Sequence, residues 1–297
     1  MKILITGSNG LLGQKIVRQL LKSGVHFLAT SLGENRNSKC PAENYQSMDI
    51  TDADDINKVV DAFQPSAIIN TAAMTNVDAC EDNEDLCRQI NVTAVKHLLA
   101  VAKKQKAFLT HLSTDFVFDG ENGPYSEEDE RNPLSIYAQS KADSEDVLMN
   151  ADYKSWAILR TIIVFGQGEN MSRSNIVLWA KSALAEGKPL SIVNDQFRAP
   201  TWADDLAWAC IQSVKTKTTG LFHISGPETF SIFELVSRVA KFHGHNLDNI
   251  TEVSSATLNQ KAKRPPKTGF DISKARKLLG YSPMSFEESL GRLQEGV

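Results

Sequence analysis

Short runs of β-branched and aliphatic residues alternate with longer stretches whose apolar positions recur every three to four residues. Sustained along most of the chain, this alternation predicts an α/β fold, a doubly wound parallel sheet of Rossmann type with helices on both faces. The first strand is read at Lys2–Thr6 and its helix from about Gly10 to Ser23, with Leu11, Ile16, Leu20 and Leu21 as the buried stripe. Strands at Val25–Ser31 and Asn44–Asp49 follow, then a helix over Asp54–Phe63 and a strand over Ser66–Asn70. One long helix is expected over Glu84–Gln105, a strand over Ala107–Ser113, a helix after Pro133, and a sixth strand over Trp156–Phe165. Right-handed crossovers join them.

Beyond Gly166 the rhythm changes to a loop (Gly166–Asn175), a helix (Ile176–Glu186) and a short strand (Leu190–Val193). The expected division is an NAD(P)-binding domain over 1–165 and a smaller C-terminal substrate-binding cap over most of 166–297. Residues 203–225 are expected to return to the sheet.

The 297 residues, 41% hydrophobic and 23% charged, suffice for such a domain with a cap. A net charge of −4 argues against nucleic acid or an anionic membrane as partner. No run approaches the ~18 apolar residues of a membrane span, and Ile3-Leu4-Ile5 is too short for a signal sequence, so a cytoplasmic protein is expected. Cys40, Cys80, Cys87 and Cys210 lack metal-ligand spacing, which predicts free thiols and no metal site.

Thr6-Gly7-Ser8-Asn9-Gly10-Leu11-Leu12-Gly13 lies between the first strand and its helix. There Gly7 serves a tight turn, Gly10 admits a pyrophosphate to the backbone, and Gly13 permits close packing, while the helix amides around Asn9, Leu11 and Leu12 face the phosphates. The spacing is GxxGxxG. The second strand ends at Ser31 with no carboxylate until Glu34, and Arg36 and Lys39 follow. A missing acid beside cations suits the 2′-phosphate of NADPH, with NADH the alternative. Asp49 and Ile50 have two readings, as a bracket for adenine or, for Asp49, as a helix cap.

Tyr137 and Lys141 stand one helical turn apart on one face. A nearby ammonium favours phenolate and brings the phenol proton within reach of a carbonyl under reduction. Thr114 closes a predicted strand at its carboxyl end, where open α/β sheets bind ligands, and its hydroxyl is expected to hydrogen-bond the substrate carbonyl.

These pieces, together with Asn70–Asp78, Asn91-Val92, Ser113–Gly120, Pro133–Tyr137 and Asn194–Thr201, resemble the extended short-chain dehydrogenase/reductase family, and within it the dTDP-4-dehydrorhamnose reductases. The resemblance implies a catalytic triad of Thr114, Tyr137 and Lys141, and a nicotinamide ribose lined by Thr71, Ala72 and Ala73. Thr75, Val77, Asp115, Arg198 and Pro200 would approach a nucleotide-sugar, with Arg198, Arg264 and Lys267 as candidates for its diphosphate. It also implies a homodimer through the Tyr137 helix and the long helix before it. Arg198 stands where relatives often have Gly, and Ile162-Ile163 where they have Ser-Trp, which bears on the sugar. Ser144-Glu145, replacing Gly-Glu, is read as a change on the far side of its helix. The implied reaction is NAD(P)H-dependent reduction of a nucleotide-linked 4-keto-6-deoxysugar, leading with dTDP-4-dehydrorhamnose to dTDP-rhamnose. The alternatives are a nucleotide-sugar epimerase or dehydratase, and a non-catalytic NADP-binding regulatory subunit.

Overall fold

The computed structural model describes residues 1–258 and 260–295. In chain order they form β1 (Lys2–Thr6), α1 (Leu11–Ser23), β2 (His26–Ser31), β3 (Tyr45–Ser47), α2 (Ala53–Phe63) and β4 (Ala67–Asn70). Next come α3 (Val77–Asp82), α4 (Glu84–Arg88), α5 (Ala94–Gln105), β5 (Phe108–Thr114), α6 (Ile136–Met149) and β6 (Trp156–Thr161). The second half carries β7 (Val164–Phe165), α7 (Ile176–Ala185), β8 (Leu190–Val193), β9 (Phe197–Arg198), β10 (Thr201–Trp202), α8 (Ala203–Thr216) and β11 (Gly220–Ile224). It ends with β12 (Phe230–Ser231), α9 (Ile232–Phe242), β13 (Ile250–Val253), α10 (Ser273–Leu279) and α11 (Phe286–Gln294).

Seven parallel strands make the main sheet, in the order β11-β6-β5-β4-β1-β2-β3. Covered on both faces, its central strands are apolar on both, as in Ile3-Leu4-Ile5 and Ala67-Ile68-Ile69. The order reverses between β1 and β4, so their carboxyl ends open a crevice where such sheets take ligands. Side-chain caps fix the helix starts: Asp52 accepts from the amides of Asp54 and Asp55, and Ser135 from that of Ala138. Gly24, left-handed at φ 63°, ends α1.

Three local expectations change. On α1 the buried residues include Val17, whereas Leu21 is solvent-exposed, because the stripe following Ile16 and Leu20 turns away from it. The expected helix over Glu84–Gln105 is interrupted by a π-helical turn at Gln89–Thr93. Its extra residue aims buried Asn91 inward: Nδ2 donates to the Met74 carbonyl (3.1 Å) and Ser140 Oγ (3.0 Å), and Oδ1 accepts from the Met74 amide (2.9 Å). The expected sixth strand stops at Thr161, since Ile163 takes a φ of 32° that redirects the chain, and β7 pairs with β10 instead.

β11 closes one edge of the sheet against β6, and α8 packs on α1 beneath it. A separate apolar cluster of Phe165, Trp202, Leu235, Phe230 and Phe286 holds α7, α9 and α11 together. Phe270, Ile272, Leu279 and Tyr281, late in the chain, join the core of the sheet rather than this second cluster. No helix among the described residues is long and apolar enough to cross a membrane.

Candidate active site

The loop after β1 is built on two glycines that tolerate no side chain. Gly7 turns at φ 69°, and a Cβ there would meet the Ala72 backbone nitrogen at 2.7 Å. A Cβ on Gly13 would lie 2.5 Å from the Gly7 carbonyl, so Gly13 lets α1 close on the loop itself. Thr71 anchors the facing strand end through a hydroxyl that donates to the Thr6 carbonyl at 2.7 Å. Thr71 and Ala72 therefore sit directly against the glycine turn, and Ala73 follows them.

Gly10 caps α1 in extended geometry without a side-chain hydrogen bond, and Ser8 keeps a buried hydroxyl with no protein partner. A capless helix start beside an orphaned hydroxyl fits a pyrophosphate. Asn9 works differently from a direct ligand. Its backbone amide donates to Ser31 Oγ (3.1 Å), its side-chain amide to the Glu34 carbonyl (2.8 Å), and its Oδ1 accepts from the Arg36 amide (2.9 Å). Asn9 thereby ties the Arg36 loop to the glycine loop, leaving the Arg36 and Lys39 side chains exposed. Asp49 Oδ1 accepts from both the amide and the hydroxyl of Thr51 at 2.8 Å, a local turn, and it is Asp52 that caps α2. Ile50 is partly buried against the α2 side of the sheet.

On α6, Tyr137 and Lys141 are both buried, with Tyr137 among Cys80, Cys87 and Phe116. All four cysteines are free. Burial pushes the Tyr137 phenol above its ordinary range, with the Thr114 side chain pulling the other way and Asp115 adding to the rise. Burial also lowers the Lys141 ammonium to about 8, opposed by Glu145 and Cys87. The Lys141 ammonium also meets a ring from the sheet: its Nζ lies 3.3 Å from His111 Nε2. Desolvation and that ammonium hold the His111 ring well below the normal histidine range, hence neutral.

Thr114 ends β5 and opens the 3₁₀ turn Asp115–Val117, accepting from the Phe116 amide at 3.3 Å. Its own proton goes to Asp115 Oδ1 at 3.1 Å. The expected hydrogen bond to a substrate carbonyl thus needs the hydroxyl to rotate, because a carboxylate already accepts from it. Asp115 is buried, hydrogen-bonded by Thr268 and 3.6 Å from Arg198 Nε. Burial raises its carboxyl, offset by Arg198, Thr268 and Thr114.

Arg198 corrects a sequence expectation outright. It is 2% exposed, and its guanidinium donates to the carbonyls of Phe197 (2.7 Å), Pro265 (2.6 Å) and Pro266 (3.3 Å). With those donors spent inside the protein, it braces the 265–268 segment and offers nothing to a diphosphate. Arg264 is committed to Asp78 at 2.7 Å, and Lys267 alone of the three is exposed and unpaired among the described contacts. Thr75 is exposed and Val77 half-buried where β4 runs into α3, while Pro200 is buried just before β10.

Ser144 and Glu145 are a second correction. Neither lies on a far side: both are fully buried against the sheet. Glu145 takes a two-pronged hydrogen bond from Arg160 on β6 (2.8 and 2.7 Å), and Ser144 Oγ lies 3.0 Å from His111 Nε2. Sequence reasoning passed over His111, Asn70 and Arg160. Their one signal was a large polar side chain on a strand of the buried parallel sheet.

The family model described as the RmlD substrate binding domain matches residues 1–296. A probable low-salt glycan biosynthesis reductase of Haloferax volcanii is 30% identical over 99% of this chain and 97% of its own length. A dTDP-4-dehydrorhamnose reductase of Aggregatibacter actinomycetemcomitans is also 30% identical, over 99% and 98%. The crystal structure of dTDP-4-dehydrorhamnose reductase from Bacillus anthracis, in complex with NADP, superposes with a TM-score of 0.87 at 27% identity, covering 100% of this chain and 99% of that one. A match reaching from the glycine loop through the last helix, rather than over the nucleotide-binding half alone, carries the assignment: this chain belongs to the RmlD substrate binding domain family and is an NAD(P)-dependent oxidoreductase of the short-chain dehydrogenase/reductase type.

Proposed function

We propose that the protein reduces the 4-keto group of a nucleotide-linked 6-deoxysugar, with dTDP-4-dehydrorhamnose as leading substrate and NADPH as preferred cofactor. The observation that carries this reading is Tyr137 buried on the first turns of α6, beside Thr114 and one turn from Lys141, at the carboxyl ends of the central strands. A reduced nicotinamide, when bound, supplies the hydride that goes to C4. Tyr137 gives its proton to the C4 oxygen, turning ketone into secondary alcohol, and Thr114 orients the phenol. Lys141 holds the ribose hydroxyls and returns a proton to the phenolate. Gly7, Gly10, Leu11, Leu12 and Gly13 take the pyrophosphate, and Arg36 with Lys39 the 2′-phosphate. Ser31 would help hold the adenosine ribose, and Asp49 with Ile50 the adenine. Thr71–Ala73 line the nicotinamide side, and Thr75, Val77 and Lys267 border the sugar nucleotide.

The same reading includes a cytoplasmic homodimer formed through α4, α5 and α6, where Leu86 is 45% exposed. An epimerase or dehydratase on this scaffold regenerates its cofactor and shows no net NADPH consumption. A regulatory subunit needs no proton donor. The deciding experiment mixes wild-type and Tyr137→Phe protein with NADPH and a panel of nucleotide-linked 4-keto sugars, following cofactor absorbance. Wild-type protein consumes NADPH with one of them. Tyr137→Phe, with one hydroxyl removed, binds NADPH as before but turns over ~10²–10⁴-fold more slowly. Wild-type rates in a folded Tyr137→Phe protein overturn the mechanism.

A further inference from the structure

Beneath the Tyr137–Lys141 turn runs a chain of buried polar groups that crosses from the glycine-loop strand to α6. Thr6 Oγ1 donates to Asn70 Oδ1 (2.5 Å), and Asn70 Nδ2 lies 3.0 Å from His111 Nδ1. His111 Nε2 lies 3.0 Å from Ser144 Oγ, whose proton goes to the Lys141 carbonyl (2.7 Å). Thr6, Asn70, His111 and Ser144 are each no more than 1% exposed.

With the Ser144 proton on the Lys141 carbonyl and the Asn70 oxygen on Thr6, the chain runs in one direction. Ser144 spends its proton on the Lys141 carbonyl and can only accept from the ring, so Nε2 carries the hydrogen. Nδ1 is then a bare acceptor for the Asn70 amide, whose oxygen in turn accepts from Thr6. From Thr6 to Ser144 every group in the chain is satisfied, and the buried Lys141 ammonium beside it is the group left without an acceptor. The consequence falls on Lys141. In that tautomer the N–H faces Nζ, 3.3 Å from Nε2, where the other tautomer would offer the ammonium a lone pair.

Resting on the reductase reading, we propose that His111 is a positioning residue for Lys141: locked by this one-way chain as the Nε2–H tautomer, it denies the ammonium an acceptor and keeps its proton loosely held for transfer to Tyr137. The groups facing Lys141 are His111 from β5, Cys87 from α4, and Glu145 on its own helix, with Tyr137 one turn before it. Only His111 is positioned by a hydrogen-bond chain that reaches the strand before the glycine loop.

Two measurements test this. Nitrogen NMR of the histidine rings in the wild-type protein, without substrate or cofactor, should find His111 neutral, protonated on Nε2, and unchanged between pH 6 and 9. Loss of its signals in His111→Gln assigns them; if that variant does not fold, the ring perturbed by Ser144→Ala identifies them. Second, Ser144→Ala removes the acceptor of Nε2–H, so the chain can reverse: the Asn70 amide turns over, its oxygen accepts from Nδ1–H, its nitrogen donates to Thr6, and His111 presents its Nε2 lone pair to Lys141. The alkaline limb of kcat should then move up by about one pH unit, the size expected of one hydrogen bond to an ammonium, with the melting temperature little changed. An Nδ1-protonated or cationic His111, or a Ser144→Ala limb superimposable on wild type, overturns the proposal. If wild-type protein reduces none of the sugars, the functional reading fails, while the nitrogen spectrum still decides the tautomer.

Discussion

Lys141 sits in a site that works against its charge. Burial brings its ammonium down to about 8 from an ordinary 10.5, so the folded state binds that proton less tightly than the unfolded chain does. The penalty is fully present below about pH 8 and fades as the unfolded lysine also loses its proton near 10.5. Lys141→Met keeps most of the length of the side chain without the charge. It should melt higher than wild type at pH 7, by an amount on the order of 2–3 kcal/mol in stability, and the gain should shrink towards pH 10.5. Turnover and NADPH affinity should both fall. Thermal denaturation at the two pH values, beside cofactor titration, checks this; a Lys141→Met protein less stable than wild type at pH 7 refutes the sign. Other single residues were harder to place from sequence. Arg198 was expected at a diphosphate and is an internal brace, because only the folded chain brings the carbonyls of Pro265 and Pro266 within reach of its guanidinium.

Among the elements, the loop from Ser31 to Cys40 shows how local sequence and long-range contact divide the work. The absence of a carboxylate at the end of β2 was legible at once. That Asn9 ties this loop to the glycine loop, by donating to Ser31 and Glu34 and accepting from the Arg36 amide, was not. Both cations are exposed, so removing them costs the fold little. A protein with Arg36→Ala and Lys39→Ala should bind NADPH ~10–100-fold more weakly, as expected for losing one or two charge-assisted bonds. NADH affinity should stay within about twofold. Fluorescence titration of both cofactors decides it, and equal losses for the two would remove the assignment of the 2′-phosphate. The π-helical turn at Gln89–Thr93 is an element of the opposite kind: its apolar periodicity continues that of α5, and only the demand of Asn91 for Met74 and Ser140 explains the extra residue.

For the whole molecule, the proposed dimer makes a simple demand. Sedimentation at micromolar concentration should give twice the 32.7 kDa chain mass, and Leu86→Glu on α4 should shift it to monomer. A wild-type protein that remains monomeric ends that part of the proposal. The alternation of β-branched runs with amphipathic helices determined the parallel sheet, because strands buried on both faces need apolar residues at every position. The glycine spacing at the first strand–helix junction likewise determined the turn, since Gly7 and Gly13 leave no room for a side chain. These properties are local, and a local pattern suffices to read them. What only the tertiary structure decided is which buried polar groups meet: Asn70 with His111, Ser144 with His111, Glu145 with Arg160, Asp115 with Arg198 and Thr268. Each pair joins residues from different elements, and each exists because a polar group cut off from water must find its partner within the protein, wherever along the chain that partner lies.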